Sequence, residues 1–299
     1  MRKAAEQGGK ILKRKETDRR WIIPLLFIIP VAVVSIVMIA GALHSDGSSY
    51  ALPFIAYGGV FRYNNIHLFG VSLHTLLMFA GLAVAILASL GKKKQYGYRP
   101  AGAVLLTVLF FAQAYLGAKL LYGTENVLSA GDPGAWSMSG VSLFGTLYLS
   151  MAAVPLLALL FRKRVGDTFD FIVPTWLILL AFVRTGCFLS GCCGAKELLI
   201  HGSPVLLPVQ LFEVICDLIL LALCLRADRL DSPGGRRHGV FPAMLVGYSI
   251  VRFLLELLRR NEITSLGITM AQFHCLLFLL VGIVWLVCLK KKSSAAPSR

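Results

Sequence analysis

Residues Phe169–Ser190 read FDFIVPTWLILLAFVRTGCFLS, a run long enough to cross a bilayer with Arg184 set deep inside it. A crossing helix needs about 20 predominantly apolar residues, and an ionisable residue within one is costly enough to mark a functional site by default. The same pattern recurs outward along the chain. His74, Lys119, Glu213, Asp217, Arg252 and Glu256 also sit inside long apolar runs. The 299 residues are 57% hydrophobic and 15% charged, with a mean hydropathy of +0.75, too apolar for a soluble domain. The fold class expected is all-α: a polytopic membrane helical bundle of about eight transmembrane helices. The spans are Trp21–Leu43, Val71–Gly91, Ala101–Tyr122, Gly140–Phe161, Phe169–Ser190, Val205–Leu225, Val240–Leu258 and Ile268–Leu289. Long continuous runs favour helices over the short alternating segments of a barrel.

The net charge of +15 invites a nucleic-acid reading, but the bases sort by side of the membrane. Of 30 Lys and Arg, 23 fall in residues 1–20, 92–99, 162–164, 226–237 and 290–299, all facing one side of an eight-span chain. The positive-inside rule then makes both termini cytoplasmic, and the basic N-terminus an orientation signal that touches anionic lipid, with no nucleic-acid partner. The first run exceeds a usual signal-peptide core, so it reads as an uncleaved anchor even though Ala40, Gly41 and Ala42 resemble a cleavage site. Four parts are therefore expected: a basic tail over 1–20, an additional helix over 21–43, a seven-helix domain over 70–290 and a tail over 291–299. The two tails have the composition of disordered segments.

This orientation brings the buried polar residues to one depth. At about 1.5 Å per residue, Arg184 lies roughly 22 Å and Arg252 roughly 18 Å above the cytoplasmic starts of their helices. His74, Gln210, Glu213, Gln272 and His274 enter from the outer side within two or three turns, and Asp217 is one turn deeper. Tyr248, Arg252 and Glu256 follow i, i+4, i+8, as Glu213 and Asp217 follow i, i+4, so each set shares a helix face. Arg184, Cys187 and Gly191 share another. Two arginines near one level suit a phosphate, because guanidinium is a fixed bidentate donor that stays charged when partly desolvated. The competing structural reading has them pairing with Glu213, Asp217 and Glu256 only to hold helices together, at a cost that apolar packing would avoid.

Cys216, Cys224, Cys275 and Cys288 are scattered through spans and read as small core residues. Cys187, Cys192 and Cys193 cluster where a helix reaches the outer face. They lack the spacing of a metal site. A packed helix end lining a pocket and a disulfide or redox relay both remain open.

In this segment the chain resembles the prolipoprotein diacylglyceryl transferase family of bacterial membranes. Arg184, Gly186, Phe188 and Gly191 match the family pattern Arg-x-Gly-Asn-Phe-x-Asn-Gly-Glu, with Cys187, Ser190 and Cys192 in place of its polar residues. Pro208-Val-Gln210-Leu211-Phe212-Glu213 resembles Pro-x-Gln-Leu-Tyr-Glu, and Tyr248-Ser-Ile-Val-Arg252-Phe253-Leu-Leu-Glu256 resembles Tyr-Gly-x-x-Arg-Phe-x-x-Glu. Gln272 falls where the family opens its last helix. His74 stands where the family has a tyrosine, Ser139 precedes Gly140 where it has a histidine before glycines, and the loop from Ala195 to Pro208 is short. The family has seven spans, so the first span here is an addition.

The resemblance implies transfer of a diacylglyceryl group from phosphatidylglycerol to the lipobox cysteine thiol of a lipoprotein precursor's signal peptide, at the outer leaflet of the bacterial plasma membrane. Arg184 and Arg252 would hold the lipid phosphate, with Glu213 and Glu256 orienting them and Tyr248 donating to a phosphate oxygen. Gln210, Gly191, Cys187, Cys192, Ser139 and Gly140 would line the substrate site. Thiolate is the nucleophile, so a base is needed; with the family's histidine absent, the candidates are His74 and Glu213. No cofactor or metal is implied beyond phosphatidylglycerol as donor. Two other readings stand beside this one: a divergent phospholipid-binding member with another acceptor or no catalysis, and a thiol-redox membrane protein.

Overall fold

The computed structural model describes residues 50–52, 55–57, 67–68, 71–137, 140–189, 193, 197–200, 203–206, 208–230, 239–259, 263–264 and 267–294. The expected basic tail, the additional first helix and most of the C-terminal tail lie outside the described residues. Those described form seven helices: α1 Leu73–Lys92, α2 Pro100–Ala130, α3 Leu143–Leu160, α4 Val165–Leu189, α5 Val209–Leu230, α6 Val240–Glu256 and α7 Met270–Ser294. Their boundaries follow local chemistry. Ser72 caps α1, its hydroxyl accepting from the Thr75 amide at 3.2 Å, which satisfies an amide the helix itself cannot. Pro100 opens α2, where the missing amide costs nothing, and Gly131 closes it at φ 66° in the left-handed conformation that glycine adopts freely.

Five of the seven, α1 to α4 and α7, are long and apolar enough to cross a membrane. Helix α6 has only 17 residues, and α5 carries Glu213, Asp217, Arg226 and Asp228. The chain is a membrane helical bundle. Helix α4 is its centre: 83% of its apolar window is buried, against 39% or less in the other four. It packs on α1, α3, α5 and α6. The outward faces stay apolar, with Phe79, Leu116, Leu159, Leu223 and Leu280 exposed where lipid tails are the solvent. Helices α2 and α3 approach closest where Gly117 and Gly145 face one another, since a Cβ on either would meet the other's carbonyl.

Two features depart from the reading of the sequence. Helix α2 runs eight residues past Tyr122, through a polar stretch that resembles a loop, and so carries Glu125 and Asn126 on an ordered face. Three two-stranded antiparallel hairpins also lie between or before the helices: β1 Tyr50–Leu52 with β2 Ile55–Tyr57, β3 His67–Leu68 with β4 Val71–Ser72, and β5 Glu197–Ile200 with β6 Ser203–Leu206. The last of these takes part of the run predicted as the start of a span, which instead begins at Val209. Pairing the strands satisfies backbone groups that a short connecting segment would otherwise leave open.

At the end of the bundle predicted to be cytoplasmic, Lys92 pairs with Asp228 at 2.7 Å and the Tyr96 hydroxyl donates to the same carboxylate at 2.5 Å. This joins the end of α1 to the end of α5, and Asp170, buried at the same end, accepts from the Phe241 amide at 2.9 Å.

Candidate active site

Three guanidiniums and two carboxylates meet between α4, α5 and the end of α6. Arg184 Nε lies 2.5 Å from Glu213 Oε2. Arg252 Nη1 reaches Glu213 Oε1 at 3.2 Å and Glu256 Oε2 at 2.6 Å. Arg259 Nη2 donates to Glu213 Oε1 at 2.8 Å, and its Nε is 3.9 Å from Glu256 Oε2. None of these five side chains is more than 8% exposed. Direct contact thus sets three positive charges against two negative ones, and Arg252 Nε has no hydrogen-bond partner among the described residues. Asp217, one turn deeper on α5, is 2% exposed.

The carboxylates are held from behind. Thr269 Oγ1 donates to Glu256 Oε1 at 3.1 Å. Thr269 is itself fixed by a reciprocal cap at the start of α7: its amide donates to Gln272 Oε1 at 3.0 Å, and the Gln272 amide donates to its hydroxyl at 3.2 Å. This is the part Gln272 plays, ordering a residue that orders Glu256.

The arginines open on a cavity of about 830 Å³, within the range of small-molecule sites. Arg184, Arg252, Arg259, Glu256 and Thr269 supply one charged and polar stretch of its lining, while Phe110, Phe111, Leu179, Leu180 and Trp176 supply apolar wall. His74 and Cys187 line it too, with His74 Nε2 3.7 Å from Cys187 Sγ. Gly186 makes that approach feasible, because a Cβ there would stand 2.9 Å from His74 Cδ2 and 3.2 Å from its Cα. Gly140 has a comparable part: a Cβ on it would run into the ring of Tyr122, which lines the cavity.

Several predicted site residues sit behind the lining. Tyr248 is 3% exposed, edge-on to Trp176 at 4.8 Å, and its hydroxyl has no hydrogen-bond partner among the described residues. Gln210 is buried three residues before Glu213. Glu213 is likewise absent from the cavity wall, enclosed by its three arginines. Ser139, Gly191 and Cys192 lie outside the described residues. Lys119 keeps apart from the arginine network, its ammonium 5.4 Å from the Tyr115 ring. Among the described residues no group of three or more His, Cys, Asp or Glu is arranged to hold a metal ion.

Two parts of the site escaped the sequence. Arg259 reads as an ordinary base beyond the end of a span, yet it is 5% exposed and bound to Glu213. Its signal is position: three residues after Glu256 and seven after Arg252, it continues the same face. Burial and the neighbouring Arg252 push its guanidinium below the ordinary value while Glu213 pulls it back, and an arginine so placed stays charged. The second part is the partly buried chain that links His274 of α7, already singled out by its depth, to Glu125 of α2 and Tyr148 of α3. Glu125 Oε1 lies 3.0 Å from His274 Nε2, and His274 Nδ1 lies 2.8 Å from the Tyr148 hydroxyl.

Comparison with known proteins supplies the remaining context. The sequence model of prolipoprotein diacylglyceryl transferase matches residues 63–288. The chain is 27% identical over 234 residues to phosphatidylglycerol–prolipoprotein diacylglyceryl transferase 2 of Clostridium perfringens, covering 72% of this chain and 90% of that protein. To the phosphatidylglycerol–prolipoprotein diacylglyceryl transferase of Clostridium tetani it is 25% identical over 236 residues, covering 72% and 93%. With the corresponding protein of Idiomarina loihiensis it shares 30% identity over 166 residues, 51% of this chain and 61% of that one. The match takes in every helix that carries the arginine cluster, its carboxylates and the cavity, and the chain belongs to the prolipoprotein diacylglyceryl transferase family.

Proposed function

We propose that the chain transfers the diacylglyceryl group of phosphatidylglycerol to the lipobox cysteine thiol in the signal peptide of prolipoproteins. The observation that carries this reading is the convergence of Arg184, Arg252 and Arg259 on a cavity of about 830 Å³. Guanidiniums aimed at a phosphodiester bind it in the ground state and hold the charge that grows as the ester breaks. The sulfur forms a bond to the terminal glyceryl carbon, the carbon–oxygen bond to phosphorus breaks with its electron pair, and glycerol phosphate departs. The thiol proton goes to a base. Of the two candidates, Glu213 is enclosed by three arginines and His74 lines the cavity, so His74 takes that part. Tyr248 braces the phosphate end, and Gly140, Gln210, Gly191, Cys187, Cys192 and Ser139 shape the surroundings.

In this reading the bundle is an eight-span protein of the bacterial plasma membrane with both termini cytoplasmic and the cavity in the outer half. The sorting of 23 of 30 bases to one side supports that orientation. The chemistry needs no cofactor besides the lipid donor. Purified protein in phosphatidylglycerol liposomes, given a lipobox-cysteine peptide, should yield a diacylglyceryl adduct by mass spectrometry. No adduct, with a full-motif relative active alongside, overturns the reading. The Cys187–His74 contact favours thiol-redox chemistry as the alternative, in which Cys192→Ser abolishes function and Arg252→Gln spares it.

A further inference from the structure

The cavity has a second polar region that the phosphate chemistry does not use. Tyr122, Glu125, Asn126 and Ser129 line it from the last turns of α2. Their spacing of three or four residues puts them on one helix face. Glu125 is the anchored member. Its Oε1 is 3.0 Å from His274 Nε2, and the other ring nitrogen is 2.8 Å from the Tyr148 hydroxyl. His274 is 5% exposed and packed against Phe144 at 5.1 Å between ring centroids. With the phenol donating to Nδ1 and Nε2–H donating to the carboxylate, the ring's hydrogen bonds are complete. One oxygen of Glu125 is thereby fixed, and the side chain remains 22% exposed on the cavity wall.

A carboxylate held by an imidazole beside an amide and a hydroxyl is a poor receptor for an anion and a good one for hydroxyl donors. The arginine cluster lines the same cavity. Thr269, which binds Glu256, and His274, which binds Glu125, are five residues apart at the start of α7, about 7.5 Å along its axis. A ligand whose phosphodiester rests on the arginines can therefore extend a short hydroxylated arm to Glu125.

The geometry points to Glu125, oriented by His274 and Tyr148, as the subsite that accepts the hydroxyls of the lipid's polyol headgroup, which makes Glu125 a specificity-determining residue and His274 a positioning residue. This rests on the proposed lipid-donor function and names the part of the donor that Glu125 selects. It also accounts for the extension of α2 past Tyr122, which brings a carboxylate to the wall.

Binding, read separately from transfer, tests it. The purified full chain would be titrated in detergent with phosphatidylglycerol, with phosphatidylethanol, which has the same phosphodiester and no headgroup hydroxyl, and with phosphatidylethanolamine. Native mass spectrometry would count bound lipid. The wild type should prefer phosphatidylglycerol to phosphatidylethanol by roughly tenfold, the scale of a charge-assisted hydrogen bond. Glu125→Ala should erase that preference while leaving phosphatidylethanol binding unchanged. His274→Phe, which keeps the ring packing, should reduce the preference without lowering the melting temperature as far as a core cavity would. Equal wild-type affinity for phosphatidylglycerol and phosphatidylethanol overturns the subsite, as does an equal loss of both lipids in Glu125→Ala. Tighter binding of phosphatidylethanolamine than of phosphatidylglycerol overturns it in favour of a cation site. If Arg252→Gln weakens both phosphatidylglycerol and phosphatidylethanol, the phosphate reading stands whatever the fate of Glu125; if the wild type binds none of the three, both fall.

Discussion

Arg252 touches Glu213 and Glu256 at once, and Glu213 in turn touches Arg184 and Arg259. Removing a single member therefore leaves a buried charge without its partner, which costs about 3–5 kcal/mol in well-buried pairs. Glu213→Gln is the sharpest case, because three guanidiniums lose one shared carboxylate. It should lower the unfolding midpoint more than Arg259→Gln, as read by thermal denaturation in a fixed detergent. Thr269→Val keeps the shape and removes one hydrogen bond to Glu256, for a loss of about 1 kcal/mol. If Thr269→Val destabilised as much as Glu213→Gln, the carboxylates would not be the centre of the network. At this scale much of the site was legible. Intervals of four residues put Arg252 with Glu256 and Glu213 with Asp217, and charge within apolar runs singled them out. Arg259 was not legible, because a base just past an apolar run has the same appearance whether it meets headgroups or turns inward.

Between elements, the contact of α2 with α3 depends on Gly117 and Gly145, and that of α1 with α4 on Gly186. A methyl group at Gly145 would meet the Gly117 carbonyl, so Gly145→Ala should separate the helices and cost about 1–3 kcal/mol, the range for overpacking. Gly186→Ala acts on the site instead, displacing His74 from Cys187. Its expected signature is a fall in turnover larger than its fall in melting temperature; the reverse would make the His74 contact only structural. Helix existence was readable from apolar run length, and helix ends were not. The polar segment from Gly123 to Ala130 has the composition of a loop, but it stays helical where Glu125 meets His274, a contact between residues 149 positions apart that no local window contains. The hairpin β5–β6 was hidden for a related reason, since its apolar residues extend the hydrophobic run of the helix that follows.

For the whole molecule, buried charge is divided between two ends of the bundle. The Lys92–Asp228–Tyr96 cluster locks one end, and the arginine network with its cavity occupies the other half. Between them α4 is packed on nearly every side. The fold so disposed supplies a recess lined by Arg184, Arg252 and Arg259, which is where the proposed transfer would hold a phosphodiester. The distribution of bases across the whole sequence predicts which end of the bundle faces the cytoplasm.

The most direct test is the initial rate of diacylglyceryl-peptide formation in phosphatidylglycerol liposomes by the wild type, Arg252→Gln and Lys290→Gln, the last changing a base at the far end of α7. The expected result is an adduct at comparable rates for wild type and Lys290→Gln, and at least a hundredfold loss in Arg252→Gln, the scale of removing a charge-stabilising donor from a reacting centre. An adduct formed at the wild-type rate by a folded Arg252→Gln would contradict the account, because the arginine cluster would then hold helices together and not the lipid phosphate.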